Sequence, residues 1–407
     1  MRLTQILLRQ HIGKHIKKHW RVQGKKIPRE SSALQSLKDK NIPIYEPNEI
    51  LEETRTFEKV DVIGIIPKQI AFDSTHPNWH SRVCHTYKDE NVLLEGLNQA
   101  KCLTRTVELQ QGLPDKIIIK NSSKELDSRV KKIIYNSHLF DSEQVKLPKL
   151  KDPERPAWNF PRLLGISESR RNVLMVAKLL QLIESLSGPQ LTKQRFVLND
   201  LQFAFPFEKS GDLIQFLIKG DTLITSDKPL QPITQDAGQD VQLPNLYPIK
   251  DTVTLNMENI YEMKNVYPVQ KAISKHHPHT VFIHYNATEV KNIYEEEVTD
   301  DQILGRSLLK TFTVAATYAK EQFGEDVKVL PKPVTMQAVQ SDGKFFHFGV
   351  LQLNTLDLDS EDGPKNIWYQ TDKMSLFESC SYVSGKPTLV GYNNDVIKHL
   401  LALYDNV

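Results

Sequence analysis

The 407-residue sequence predicts an α+β fold: a mixed sheet with β-hairpins and packed helices, preceded by an extended, loop-rich N-terminal arm. Three observations lead there. Apolar residues recur at helical spacing in several long stretches. Between residues 195 and 225 the period shortens to that of strands. Near residue 342 an Asp-Gly pair joins two apolar runs, the mark of a hairpin. Helices and hairpins mixed in this way belong to the α+β class.

Taken in order, residues 1–29 come first. Leu8, Ile12, Ile16 and Trp20 make one apolar stripe on a helix, and Arg9, Lys14, Lys17, Lys18 and Arg21 fill its other faces. Residues 30–85 read as an extended wrapping segment, punctuated by Pro43, Pro47, Pro67 and Pro77, with a short strand at Val60–Ile66. The body spans 86–407. It opens with a helical stripe from Leu93 to Leu109, stopped by Gly112 and Pro114. Ile117–Ile119 reads as a short buried strand. Ser122 and Ser123 before Glu125 cap a helix running to about Phe140. After a proline-rich connection, a helix from about Ser167 to Ser187 ends at Gly188-Pro189.

Arg195–Leu198, Leu201–Phe207, Leu213–Ile218 and Thr222–Thr225 read as four strands. Turns are expected at Ser210-Gly211-Asp212 and Lys219-Gly220-Asp221. A long surface loop covers about 226–250. A strand at His279–Tyr285 and a helix at 302–323, closed by Gly324, follow. The hairpin Val334–Leu358 turns at Ser341-Asp342-Gly343, and a last helix runs from Asn394 to Tyr404.

Charge is unevenly spread. Residues 1–29 hold nine of the 52 Lys and Arg residues and no acid. The remaining 43 stand against 50 Asp and Glu, a net of −7. An acid-free, basic, amphipathic start is the composition of a mitochondrial presequence, or of a basic arm that lies on phosphate. An acidic remainder suits a peripheral protein, held mainly by other proteins and touching RNA at local basic patches. Cys84, Cys102 and Cys380 are too few and scattered for a disulfide framework. No apolar run approaches membrane-spanning length, so no membrane-spanning segment is expected.

Candidate chemistry is thin. His76, His80, Cys84 and His85 are spaced like a metal clamp, but Pro77 spoils the helix this would need, and they read as polar surface. His276, His277, His279 and His284 are interrupted by Pro278 and have no carboxylate or thiolate at ligand spacing. There is no GxSxG elbow, Walker loop or GxGxxG. A metal-dependent nuclease hairpin would need carboxylates on its strands; here Asp342 sits at the turn and the next strand reads Gln352-Leu353-Asn354. No metal, cofactor or small-molecule substrate is therefore expected. Phe203, Phe205 and Phe207 alternate without interleaved Lys or Arg, and read as a core face rather than a base-stacking one. The RNA-contact candidates are Arg9, Lys14, Lys17, Lys18, Arg21, Lys25, Lys26 and Arg29, with Arg129, Lys131, Lys132, Arg170 and Arg171 in the body.

One resemblance is specific. Asp342-Gly343-Lys344-Phe345-Phe346-His347-Phe348, continuing through Gln352-Leu353-Asn354-Thr355 and Leu356-Asp357-Leu358-Asp359, resembles the family of mitochondrial large-subunit ribosomal protein thirty-seven. Shorter matches occur in the same order: Leu93-Leu94-Glu95-Gly96, Leu103-Thr104, Gly112-Leu113-Pro114, Pro278-His279-Thr280, Val327–Leu330 leading into Pro333-Val334, and Leu400–Tyr404. Together they span residue 76 to the end, and residues 30–75 match only loosely. The resemblance implies a non-catalytic component of the mitochondrial large ribosomal subunit, in the matrix and supporting mitochondrial translation. It implies as partners large-subunit rRNA and other mitoribosomal proteins, among them a paralogue once named for programmed cell death. The competing readings are a matrix nucleic-acid enzyme with a degenerate nuclease-like fold, and a free mitochondrial RNA-binding regulator.

Overall fold

The computed structural model describes residues 32–45, 75–76, 79 and 83–407, except 122, 150–153, 156–159, 237, 260–263, 295 and 361. The basic segment 1–29 and the strand expected at Val60–Ile66 lie outside the described residues. The chain divides into two units, 1–69 and 70–407. In the first, Ser32–Asp39 forms a helix, α1, where extended chain is expected. Leu34 and Leu37 share one face of it, but eight residues are too few for a helical period to stand out, and it buries no side chain.

The second unit holds the strands β1 Cys84–Lys88, β2 Thr106–Val107, β3 Val145–Lys146 and β4 Leu164–Gly165. They are followed by β5 Arg195–Lys209, β6 Asp212–Ser226, β7 Asn256–Glu258, β8 His277–His284, β9 Val329–Ser341 and β10 Phe345–Thr355. The last are β11 Asn366–Gln370, β12 Met374–Ser375, β13 Ser379–Val383 and β14 Lys386–Val390. Its helices include α2 Gly96–Thr104, α3 Lys124–His138, α4 Glu168–Ser187, α5 Asp300–Phe323 and α6 Asp395–Asp405. Ten strands form one sheet in the order β2-β11-β10-β9-β8-β6-β1-β7, with β5 on β6 and β12 on β10. The pairs β1/β6, β8/β9 and β2/β11 are parallel; the rest of the sheet is antiparallel.

Both faces of this sheet are covered. Val281, Ile283, Met336, Ala338, Leu351, Leu353 and Trp368 pack with α2 and α5. Their strand neighbours Phe282, Val339, Val350, Ile367 and Tyr369 pack with α3, α4 and α6. Alternate residues thus point into two cores, which is why these strands read as continuous apolar runs. Helix α5 is sunk so deeply that its residues from Gly305 to Ala319 are all buried. Two glycines let it approach α2: a Cβ on Gly305 would stand 2.5 Å from the Gly96 carbonyl carbon.

Helix starts follow from local chemistry. The Ser123 and Ser167 hydroxyls accept from the backbone N–H groups of Leu126 and Arg170, while Thr299 and Gln302 form a reciprocal capping box ahead of α5. The expected hairpin forms as β9–β10, turned by Asp342, whose Oδ1 accepts from Lys344 N at 2.8 Å and Phe345 N at 2.7 Å.

Three further expectations fail, two of them for a tertiary reason. Lys219-Gly220-Asp221 is not a turn: β5 and β6 are two long strands, not four short ones, and Gly220 pairs with Leu201 in mid-strand. The glycine is there for packing, since a Cβ would meet the Phe203 ring at 3.0 Å. Ile117–Ile119 forms no strand; Ile117 is buried, but Ile118 is 72% exposed. The stripe from Leu93 yields only α2, because Arg105 turns left-handed at φ 51° and buries its guanidinium against Asp357 O and Asp362 O. The stretch 227–250 carries no helix or strand among its described residues, yet it is pinned to the sheet: Gln352 Oε1 accepts from Ile233 N and Thr234 N.

Candidate nucleic-acid interface

The basic candidates of the body fall on two neighbouring helices. Arg129, Lys131 and Lys132 lie on the outer side of α3, whose inner face buries Leu126, Val130 and Ile134. Arg129 pairs with Glu125 one turn earlier at 2.7 Å, and Lys131 Nζ sits 4.9 Å from the Tyr392 ring centre. Both contacts are at the surface and leave the cations accessible to phosphate. Arg170 and Arg171 open α4. Arg170 is clamped by Asp141 and by Glu143, the latter at 2.6 Å. The hydrogen bond between Arg170 and Asp141 holds the carboxyl of Asp141 below its usual range. Arg170 therefore presents little net charge outward. Arg171 is half-buried beside His138 and Cys380. The candidates in residues 1–29 lie outside the described residues.

The aromatic runs belong mainly to the core. Phe203 and Phe205 are buried, and Phe205 meets Phe312 edge to face with centroids 5.7 Å apart. Phe346 and Phe348 are buried as well, while Phe345 lies under Lys373 at 4.4 Å. The nuclease-like positions are used inside the fold. Asp342 closes its own turn; Asn354 Nδ2 donates to Lys365 O at 2.7 Å, and Asn354 Oδ1 accepts from Gln352 Nε2 at 3.1 Å. Among the described residues no group of three or more His, Cys, Asp or Glu is placed to hold a metal ion. Burial pushes the Cys84 thiol up to about 11. An open cleft of about 820 Å³ is bounded by Gly112, Pro114, Ile117, Ile119 and His399. His399 stacks on Phe348 and bonds Asp395 O through Nδ1 at 2.8 Å.

Two buried polar clusters draw on residues with catalytic potential. In the first, Lys310 of α5 donates to Asp89 Oδ1 at 2.9 Å and to Lys219 O at 2.8 Å, with Asp221 at 3.9 Å. In the second, His279 bonds Thr280 Oγ1 at 2.8 Å and Asn406 O at 2.9 Å, and Gln337 links Thr280, Leu403 and Asn406. Lys310 and His279 are both inaccessible, so these clusters fasten elements rather than meet a substrate.

The histidines set a pH dependence. Burial pushes His279 down to about 3, with Arg195 adding to it, and pushes His347 down to about 4. His138 is lowered to about 4 by burial and by Arg171. These rings are neutral when folded and titrate near 6.5 when unfolded, so the unfolded chain binds more protons below that pH. Stability is full above about 6.5 and is lost as the pH falls toward 4 and 3. At pH 5.5 each such ring should cost roughly 1.4 kcal/mol. Thermal melts at pH 7.5, 6.5 and 5.5 should show a falling midpoint, less steep in His279→Gln; parallel profiles would refute the role of His279.

Sequence reasoning passes over one surface feature. Phe140, just past the end of α3, meets Tyr382 of β13 edge to face, with centroids 6.1 Å apart. Both rings are exposed, and only the fold brings them together. No helix among the described residues is long and apolar enough to cross a membrane.

Comparison with known proteins gives consistent relatives. The family described as "Mitochondrial 28S ribosomal protein S30 (PDCD9)" matches residues 243–407. The protein named "Large ribosomal subunit protein mL37" from Gallus gallus is 30% identical over 343 residues, covering 79% of this chain and 73% of its own. Its namesake from Mus musculus is 30% identical over 341 residues, covering 79% and 74%. That from Rattus norvegicus is 29% identical over 348 residues, covering 81% and 76%.

Proposed function

Because the chain belongs to the family of large ribosomal subunit protein mL37, we propose that it is a structural, non-catalytic component of the large subunit of the mitochondrial ribosome. The observation that carries this reading is similarity along 79% of the chain to proteins of that name. The name of the matching family points instead to a 28S particle, but that match covers only residues 243–407. The longer matches support the large subunit.

The geometry supports a structural role. The Lys310 and His279 clusters are buried and bonded within the fold, Asp342 closes its own turn, and Asn354 ties β10 to Lys365. In this reading the protein works in the mitochondrial matrix, brought there by residues 1–29. It supports mitochondrial translation by joining other mitoribosomal proteins, a paralogue among them. Arg129, Lys131 and Lys132 of α3 are the accessible rRNA contacts, with Arg170 and Arg171 nearer the packed interior and Arg9 to Arg29 available if that segment is retained.

Sedimentation tests the reading. In a gradient of mitochondrial lysate at physiological salt, the protein should comigrate with the large subunit and the monosome. Recovery mainly at the top of the gradient would overturn the proposal and favour a free RNA-binding regulator.

A further inference from the structure

The hairpin β13–β14 stands apart from the main sheet as a two-stranded ribbon. Cys380 and Leu389 pack it onto the core. Tyr382 lies two residues beyond Cys380 on the same face and overhangs the end of α3, where Phe140 meets it. Each of these rings is 52% exposed, and their planes cross at 87°. In an edge-to-face pair, the ring that offers its edge keeps both of its faces open to a third plane. A second ribbon, β3–β4, follows Phe140 in the chain and exposes Leu163 and Leu164. The chain leading into it is held to α4 by the contacts of Arg170 with Asp141 and Glu143.

The sequence around these elements is basic. Residues 120–178 contain 13 Lys and Arg against seven Asp and Glu, a net of +6. The rest of 30–407 stands at −13. Lys146, Arg155 and Arg162 are exposed on or beside the second ribbon, and Lys386 is exposed opposite Val383 at the tip of the first. Open aromatic faces among cations on an otherwise acidic body complement a polyanion with planar groups. RNA with unpaired bases has that chemistry, pairing a planar base with a phosphate at every residue, which an acidic peptide does not.

We infer that Phe140 and Tyr382 form a stacking platform for unpaired bases of RNA, with Lys146, Arg162 and Lys386 set beside the backbone phosphates. The inference rests on the ribosomal reading above and deepens it: it places rRNA contact on this face rather than along α3 alone.

The test uses the full chain and a fluorescein-labelled twenty-nucleotide oligouridylate, titrated by anisotropy over a salt series. Tyr382→Ala should weaken binding about 5- to 100-fold, the loss of one stacked base, and leave the salt slope unchanged. Tyr382→Phe should bind as the unaltered protein does. Lys146→Ala should weaken binding and lower the slope by ~0.7. Since these side chains are exposed, thermal melts should not move. In purified large subunits, ultraviolet light should leave a nucleotide adduct on the peptide containing Tyr382. Unchanged affinity in both Phe140→Ala and Tyr382→Ala would overturn the inference. So would a Tyr382 peptide that crosslinks only to protein. Sedimentation judges the ribosomal reading separately: comigration with no adduct sinks the platform alone.

Discussion

Gly349→Ala should remove most of the folded protein. Gly349 lies in the middle of β10, between Ala338 of β9 and Gln370 of β11. A Cβ there would stand 2.1 Å from Trp368 Cη2 and 2.3 Å from Cζ2. The indole cannot retreat: it is fully buried against the core, and its Nε1 donates to Gln370 Oε1 at 3.0 Å. Either the strand pairing or the core must give way, at an expected cost of ~3 kcal/mol or more. That is a large share of the ~5–15 kcal/mol that holds a typical protein folded. Gly211→Ala is the control. Its φ of +82° strains an alanine, but a Cβ there meets nothing within 4 Å, so the cost should be only ~1 kcal/mol. Denaturant titrations would rank the two. Trp368→Leu should rescue Gly349→Ala in part, because a smaller side chain frees the space. Equal stability of Gly349→Ala and Gly211→Ala would show that the indole yields.

The contrast between these glycines also shows what the sequence can convey. Gly211 and Gly343 sit where strands reverse, and Ser-Gly-Asp and Asp-Gly signal those turns directly. Gly220 has the same neighbours as a turn glycine, Lys219 and Asp221, yet it lies in mid-strand because Phe203 needs its surface. Each is a glycine beside an aspartate; the difference is made by a ring on another strand. Helix ends at Ser123 and Ser167 are legible because the cap is a neighbour in sequence. The end of α2 is not, since the partners of Arg105 are carbonyls at Asp357 and Asp362. The parallel pairings β1/β6, β8/β9 and β2/β11 join strands far apart in the chain and leave no local mark. The interface divides in the same way. Arg129, Lys131 and Lys132 are visible as a run on one helix, while Phe140 and Tyr382 become a pair only when α3 and β13 meet.

Lys310 is the extreme case of a residue whose role comes entirely from the fold. Within Leu308-Leu309-Lys310 it reads as the polar side of a helix, but its side chain is fully buried. Its amine is held by Asp89, Lys219 O and Asp221, while Arg306 of the same helix donates to Asp89 O and His284 O. Burial brings Lys310 down to about 8, against the pull of the two aspartates, so it remains mostly charged at neutral pH. Lys310→Met keeps most of the packing volume but takes the cation from two carboxylates, leaving Asp89 Oδ1 with the Lys219 N–H and Asp221 Oδ2 with the His284 N–H. It should cost ~3–5 kcal/mol, as expected when one partner of a buried pair is removed. Adding Asp89→Asn and Asp221→Asn should recover most of that loss, because an uncharged cluster no longer needs the amine. Denaturant titration of the single, double and triple variants would give the coupling. A Lys310→Met protein as stable as its parent would mean that the aspartates are satisfied by water and that the buried charge contributes nothing. The expected recovery would instead show that the amine joins β1's end, β6 and α5, and that a titratable group buried between this sheet and α5 serves its architecture.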